Sequence, residues 1–480
     1  MTSWQPRIVE SAMLKYLGIV EALDTDIRNG RIKPGDRLPP QRAVAEALNV
    51  DLTTVTRAFN EARRRGLIDA HPGRGTFIRE QIPVAEKPGR NPSDPVDLSM
   101  NSPPQPQAAD LGRAIAEATA ALLSEPAGTL RLHYQDSAGG EADRIAAARW
   151  LDRHVPEQSF ARSFASLLNG GRGNLTSPSR VVISAGAQSA LYAICNAEFR
   201  PGDAVATGMF TYPGFKAAAA RQGLKLLPLD MDEGGIVPES FEAACRTSPP
   251  KGLYIIPSMD NPTTATLSEE RRHALAEIAR RHGVIILEDD PYSPLHERKL
   301  PAIADIAGDI TWHVATLSKC VTPALRVAYV TAPGEAQAQH LADILRATSL
   351  MAPPLMVALA SRWIGDGTLE RIATAIRQEN AQRQKLAVKA LGRENFAADP
   401  EGHHLWLSLP PRWRAQDFAA QAGRAGIAIV PGSAFTVAAA APEAVRISLG
   451  VAPDRAALDD ALTQLSGLLR QSSVQTRVLV

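Results

Sequence analysis

In the stretch "ATLSKCVTPALRVAY", Ala315 to Tyr329, one lysine, Lys319, follows a serine and precedes an arginine seven residues further on. A lysine amine does covalent chemistry when a desolvated, positively biased pocket favours its neutral form, and it then condenses with an aldehyde cofactor. A lone lysine carries no such conclusion, because most lysines sit in solvent. What adds weight is a set of partners, each placed after a short apolar run that reads as a buried strand. Open α/β sheets place their ligands at such strand ends. "VIILEDDPY" offers Asp289 and Tyr292, and "IIPSMDNPTTA" offers Asn261. "VVISAGAQSALYAI" reads as strand, glycine turn and helix, with Gly186, Ala187 and Gln188 where bare N–H groups bind phosphate. "FTYPGF" supplies Tyr212 and "AVRISLG" supplies Arg446.

Pyridoxal phosphate needs each of these parts. Asp289 would stand opposite the ring nitrogen, with Tyr292 and Asn261 at the ring hydroxyl. Ser318 and Arg326 would join the glycine turn on the phosphate, and Tyr212 would stack on the ring. Arg446 would grip the carboxylate of an amino-acid ligand in bidentate fashion. Taken singly, each has a plainer reading: Asp289 a strand-end cap, Tyr212 a core aromatic, Arg446 an ion-pair partner. Their order along the chain is the stronger signal. "SAGAQ", "YPG", "NPT", "DDPY", "SKxxxPxLR" and "VRIS" together resemble the fold-type I aminotransferases, from about Val96 to the end.

That resemblance implies that Lys319 is the Schiff-base residue. It also implies a head-to-tail homodimer, in which Tyr134 of "LHYQDSAGGEADRIAAARWL" reaches the partner's phosphate. Where the family usually has glycine after "NPT", serine at the phosphate turn and glycine after "LR", this chain has Thr264, Ala187 and Ala328. None of the three removes a cofactor contact.

The elements that must hold these residues are legible around them. Short β-branched or aliphatic runs alternate with alanine-rich helical stretches, the pattern of a mostly parallel α/β sheet buried on both faces. The chain has 480 residues, 45% of them apolar and 21% charged, which is ordinary for a globular protein of two or three domains. A net charge of +1 gives no global nucleic-acid signal, so any basic surface is local. Three scattered cysteines, Cys195, Cys245 and Cys320, argue against a disulfide framework and a structural zinc site. The N-terminus lacks the layout of a signal peptide, and no apolar run approaches the roughly 20 residues of a membrane span. A cytosolic protein is expected.

The first part of the chain has a different texture. Residues 30–79, "GRIKPGDRLPPQRAVAEALNVDLTTVTRAFNEARRRGLIDAHPGRGTFIR", place Val44, Ala47 and Leu48 at helical spacing after a proline pair. A break at "NV" follows, and Asp51 can cap a second helix through Val55, Phe59 and Ala62. Two helices about a tight turn make a helix-turn-helix, and "GLIDAHPGRGTFI" adds two short strands with Arg74 at their tip. "GxIxPGDRLPPxR", "TTV", "RRGLI" and "GRGTFI" resemble the winged helix of the GntR family of bacterial regulators. The resemblance implies that Arg42, Thr53, Thr54, Thr56 and Arg57 face double-stranded DNA, with His71, Arg74 and Gly75 on the wing. Leu52 stands where many members carry an arginine. The arginines Arg63 to Arg65 read equally well as a solvated helix end.

The expected organisation is a winged helix-turn-helix over 1–80, a linker over 81–108 and an aminotransferase-like large domain over 109–350. A small domain over 351–480 completes it. A GntR-like head on an aminotransferase-like body resembles the MocR subfamily, and "VDLSMNSPPQP" and "GHHLWLSLP" are similar to it too. The resemblance implies a transcriptional regulator that senses an amine, an amino acid or the cofactor through Lys319. A working aminotransferase with an accessory DNA-binding head is the alternative. A third is a pairing scaffold that no longer holds the cofactor.

Overall fold

The computed structural model describes residues 4, 15–28, 31–33, 35–64, 67–71, 75–78, 95–126, 128–152 and 176–471. The chain divides into two compact units, Met1–Asn91 and Pro92–Val480.

In the first unit, α1 (Lys15–Arg28), α2 (Gln41–Leu48) and α3 (Leu52–Arg64) precede the antiparallel pair β1 (Ile68–His71) and β2 (Gly75–Ile78). Pro40 stands at the N-cap of α2, where a missing N–H costs nothing, and Asn49 ends it in the left-handed region at φ 50°. Asp51 then opens α3, its carboxylate accepting the Thr53 amide at 2.7 Å. Ile19, Leu23, Val44, Val55, Phe59, Ile68 and Ile78 close one core, and each such side chain contributes about 1.5–3 kcal/mol by burial. On α2 the buried pair is Val44 and Ala45, while Ala47 points to solvent. A helix of about two turns against α3 buries these adjacent positions and not the whole spaced stripe.

The second unit is built on a seven-stranded sheet. Its order is Val181–Ser184, Ala328–Thr331, Thr311–Thr316, Ile285–Asp290, Gly252–Ile255, Ala204–Gly208 and Lys225–Leu229. Every pairing is parallel except the two made by Ala328–Thr331. Val181–Ser184, Gly252–Ile255, Thr311–Thr316 and Ala328–Thr331 are buried at every position, as the unbroken apolar runs require. A four-stranded antiparallel sheet, Phe396–Ala398, His404–Ser408, Ala444–Ser448 and Val430–Pro431, forms a smaller layer under helix Arg455–Arg470.

Two boundaries differ from the sequence reading. Residues 95–108 are part of the body, not of a linker: Val96–Asp97 pairs in parallel with Ile427–Ala428, and Leu98 is fully buried. The sequence reading has the chain entering the body near Val96 to Met100 but marks no strand there, since Val96 is the one apolar residue of the pair. The helix Pro354–Asp366 and Ile372, Ala373 and Ile376 of Thr368–Leu391 pack in the core of the large sheet. Apart from Val96 and Leu98, the smaller core draws its residues from Leu386 onward, beyond the expected division at 351.

Candidate functional site

Five of the candidate residues lie at or beyond strand ends of the large sheet. Lys319 lies just past Thr311–Thr316, Asp289 in the last turn of Ile285–Asp290, and Asn261 beyond Gly252–Ile255. Tyr212 follows Ala204–Gly208 and caps helix Pro213–Arg221. Gly186 follows Val181–Ser184 and caps helix Ala187–Glu198. All five follow strands that run in one direction, so their side chains meet at one edge of the sheet.

Asp289 is buried, and Tyr254 donates its hydroxyl to Oδ2 at 2.7 Å. Its other oxygen, Oδ1, is buried without a partner. Burial pushes the Asp289 carboxyl up to about 6, against the Tyr254 hydrogen bond, with Asp290 adding to the rise. Such a carboxylate is short of one positively charged N–H donor. Tyr254 is in turn held by stacking on Phe215, ring centroids 3.7 Å apart and planes 5° apart.

Lys319 donates to the main-chain oxygen of Asn101. The residue as a whole is half-buried, but desolvation of its amine, helped by the Arg446 charge, brings its pKa down to about 8, with Asp289 opposing. Arg446, on Ala444–Ser448 of the smaller sheet, donates to Asn261 Oδ1 at 2.9 Å and to the main-chain oxygen of Ser99. Its guanidinium lies 5.0 Å from the centre of the Phe435 ring, and its Nε is buried without a partner. Tyr292 is buried and accepts a hydrogen bond from the Asn101 side-chain amide at 2.8 Å. Burial raises the Tyr212 hydroxyl, with Asp289 adding to the rise and Arg326 and Arg446 opposing it.

The turn at Gly186 has φ 93°, and a Cβ there would stand 2.9 Å from the Arg326 guanidinium. Glycine is thus required twice over, by backbone conformation and by close approach. Arg326 is exposed and donates to the Ala185 carbonyl at 3.0 Å. Ser318 shares a 2.9 Å hydrogen bond with Thr316. Ala187 begins the helix, so its N–H is free of intrahelical partners. Gln188 donates to the Gly214 carbonyl at 2.8 Å and leaves Oε1 buried and unpaired. Gly214 is the second position where a side chain is excluded: a Cβ would fall 2.4 Å from the Tyr212 ring.

Together these groups fit pyridoxal phosphate. An orphaned buried carboxylate oxygen faces the place of a ring N–H, a glycine-lined helix start carries a guanidinium, and an amine sits near neutrality. Tyr134 is not with them: it is 81% exposed, on the surface of the single chain. The sequence reading missed Asn101, Ser99, Tyr254, Phe435 and His404. His404, buried and pushed down to about 3 by burial and the Arg446 charge, holds the Asp260 carbonyl at 3.1 Å through Nε2 and stands 3.5 Å from the Asn101 amide. Asn101 and His404 lie in the two stretches already noted as family-like, "VDLSMNSPPQP" and "GHHLWLSLP", but no strand-end pattern marks them.

In the head, Arg42 and Arg57 are exposed on α2 and α3. Thr53 is exposed and tied to Asp51, Thr54 is half-buried, and Thr56 donates to Gln41 Oε1 at 2.9 Å, bracing α3 on α2. Gly75 is the first residue of β2, paired with His71, and the Arg37 guanidinium lies against it. Arg74, Arg65 and the side chains of His71 and Arg64 lie outside the described residues. Leu52 is 39% exposed at the start of α3. Among the described residues no helix is long and apolar enough to cross a membrane.

Two family models match the chain: aminotransferase class I and II over residues 93–465, and bacterial regulatory proteins, gntR family, over residues 15–78. The uncharacterised HTH-type transcriptional regulator YdeF of Bacillus subtilis is 29% identical over 470 residues, 97% of each chain. The HTH-type transcriptional regulator TauR of Rhodobacter capsulatus is 27% identical over 441 residues, 85% of this chain and 87% of that one. Among solved structures, LysN, the α-aminoadipate aminotransferase of Thermus thermophilus, complexed with N-(5'-phosphopyridoxyl)-L-leucine, superposes with a TM-score of 0.68. It is 25% identical, covering 78% of this chain and 92% of that one. The chain therefore belongs to the aminotransferase class I and II family and carries a gntR-family helix-turn-helix ahead of that body, the layout of the MocR-type regulators.

Proposed function

We infer that this protein is a DNA-binding transcriptional regulator whose body binds pyridoxal phosphate at Lys319 and senses a small amine or amino acid there. The observation that carries the reading is the meeting of Lys319, Asp289 and Arg446 in one buried place, in a chain that also presents α3. When bound, pyridoxal phosphate supplies an aldehyde carbon open to primary amines and a ring that draws electrons.

The chain's own residues define the rest. With a pKa brought down to about 8, Lys319 keeps a larger neutral fraction at physiological pH than an ordinary lysine, though most of it is still protonated there. Asp289 accepts the ring N–H through Oδ1, because Tyr254 already holds Oδ2. Tyr292 and Asn261 face the ring hydroxyl, and Tyr212 stacks on the ring. Gly186, Ala187, Gln188, Ser318 and Arg326 receive the phosphate, and Tyr134 reaches that of the partner in a head-to-tail homodimer. Arg446 takes the ligand carboxylate. On the head, Arg42, Thr53, Thr54, Thr56 and Arg57 face DNA, with His71, Arg74 and Gly75 on the wing.

Borohydride reduction of the purified protein, followed by peptide mapping, tests this. A visible absorption band that reduction fixes on Lys319, absent in Lys319→Ala with the fold intact, is the expected result. The same label appearing in Lys319→Ala sinks the assignment. The likeness to LysN supports a second reading, an aminotransferase with an accessory head. Steady release of a keto acid from an amino donor favours it over a sensor.

A further inference from the structure

The two cationic groups of the site are both hydrogen-bonded to main-chain oxygens of one three-residue segment. Arg446 donates to Ser99 O, and Lys319 donates to Asn101 O. This segment directly follows the strand Val96–Asp97, so it is the part of the site closest in sequence to the head.

Its other anchors are unequal. Upstream it is firmly held: the Val96 amide donates to Gly426 O at 2.7 Å and the Leu98 amide to Ala428 O at 2.8 Å. Leu98 O accepts from the Ser448 amide at 2.9 Å. Between Leu98 and Asn101 the apolar grip is lost, and Met100 is 61% exposed. Ser99 otherwise bonds only within its own turn, through its amide and hydroxyl to Asp97 Oδ1. Asn101 is buried, gives its side-chain amide to Tyr292, and leaves Oδ1 buried with no partner. What holds Ser99 and Asn101 in place is thus largely the site's own ligand-binding groups.

We propose that Ser99–Asn101 is a relay whose backbone order follows occupancy of the site, with Asn101 also the positioning residue for Lys319 and Tyr292. This rests on the roles inferred above for Lys319 and Arg446. A carboxylate that approaches the two Nη atoms of Arg446 competes with Ser99 O and Asn261 Oδ1, which already accept from them, whereas one that takes the unpaired Nε does not. Commitment of Lys319 to the cofactor competes with Asn101 O in the same way, and freeing the amine restores that bond. The segment is therefore read at two points: a ligand with amine and carboxylate changes both, and a plain amine changes only the second. Only ligands that distinguish the two arrangements shift the population, which makes the relay selective by construction.

Hydrogen exchange of the full-length protein loaded with pyridoxal phosphate, followed in peptides covering residues 97–103, tests the relay. Arg446→Gln, without ligand, is expected to exchange about tenfold faster there than wild type, the effect of one lost charge-assisted hydrogen bond. Arg446→Lys, which keeps a donor for Ser99 O, restores part of the protection. In wild type, propionate accelerates exchange in these peptides, propylamine slows it, and L-alanine, which does both, accelerates it less than propionate. Wild-type exchange in Arg446→Gln that has retained its visible band overturns the proposal. If that variant does not fold, the L-alanine titration decides: a band on Lys319 that L-alanine alters, with no change in these peptides, removes the relay and leaves the sensor. Absence of any band on Lys319 removes both.

Discussion

At the scale of single residues the site works by mismatched burial. Asp289 is buried with half of its acceptor capacity unused, and Lys319 is partly stripped of water beside a second cation. Each is costly alone and inexpensive once the cofactor's charges arrive. Reconstitution of the cofactor-free protein is therefore expected to accelerate as pH rises through about 8, where the Lys319 amine becomes neutral. Arg446→Gln moves that midpoint upward, since the arginine charge is one cause of the depression. Stopped-flow absorbance against pH measures it, and an unmoved midpoint contradicts the assigned cause. Tyr254→Phe strips Asp289 of its hydrogen bond, so the carboxyl rises further and affinity for pyridoxal phosphate falls about tenfold, as a titration of the visible band should show. In the head, Arg57→Ala is expected to weaken binding to random-sequence duplex and to lower the slope of log K against log salt by about 1 if Arg57 holds a phosphate.

At the scale of elements, the strand Ile285–Asp290 shows how one run serves two purposes. Period-two alternation turns Asp289 to the site and Glu288 and Asp290 to the other face. There Glu288 accepts from the Ile303 and Ala304 amides at 2.8 Å each, capping a helix start. Asp290 pairs with His313 at 3.4 Å and takes the Ser293 amide at 3.1 Å. Burial alone would lower His313, but Asp290, with Glu288 and Asp305, raises it from 6.5 to about 9. Burial alone would raise Asp290, but His313 and Ser293 take it from 3.8 to about 2. The histidine's contribution to stability is complete below 6.5 and is lost as pH rises through 9. The aspartate's is complete above 3.8 and is lost as pH falls through 2. His313→Gln should thus cost most near pH 5, on the order of 3 kcal/mol, and progressively less toward pH 9, in urea unfolding of both proteins. A difference independent of pH contradicts the pairing. The sequence reading chose Asp289 from "EDD" and set it after a buried strand; the structure has all three carboxylates inside Ile285–Asp290.

At the scale of the whole molecule, the chain joins two units that each close their own core, Met1–Asn91 and Pro92–Val480. In the head-to-tail homodimer proposed above, the exposed Tyr134 would complete the partner's phosphate site. Mixing Lys319→Ala with Tyr134→Ala protomers then restores full cofactor affinity at one site per mixed dimer, measurable as the reduced label on Lys319. No gain on mixing removes the shared site. Two halves joined by a linker and a mostly parallel sheet were legible in the sequence, because buried strands and glycine or proline turns leave local marks. Lys319, Asp289, Asn261, Tyr212 and Gly186 each follow such a mark. Ser99, Asn101, Tyr254, Phe435 and His404 carry none, since their roles arise from pairs far apart in the chain, such as Asn101 with Tyr292 or Arg446 with Ser99. Local chemistry decided which residues stood ready at the sheet's edge. Long-range packing alone decided what holds them there, because a buried polar atom takes whatever partner the closed core brings within reach.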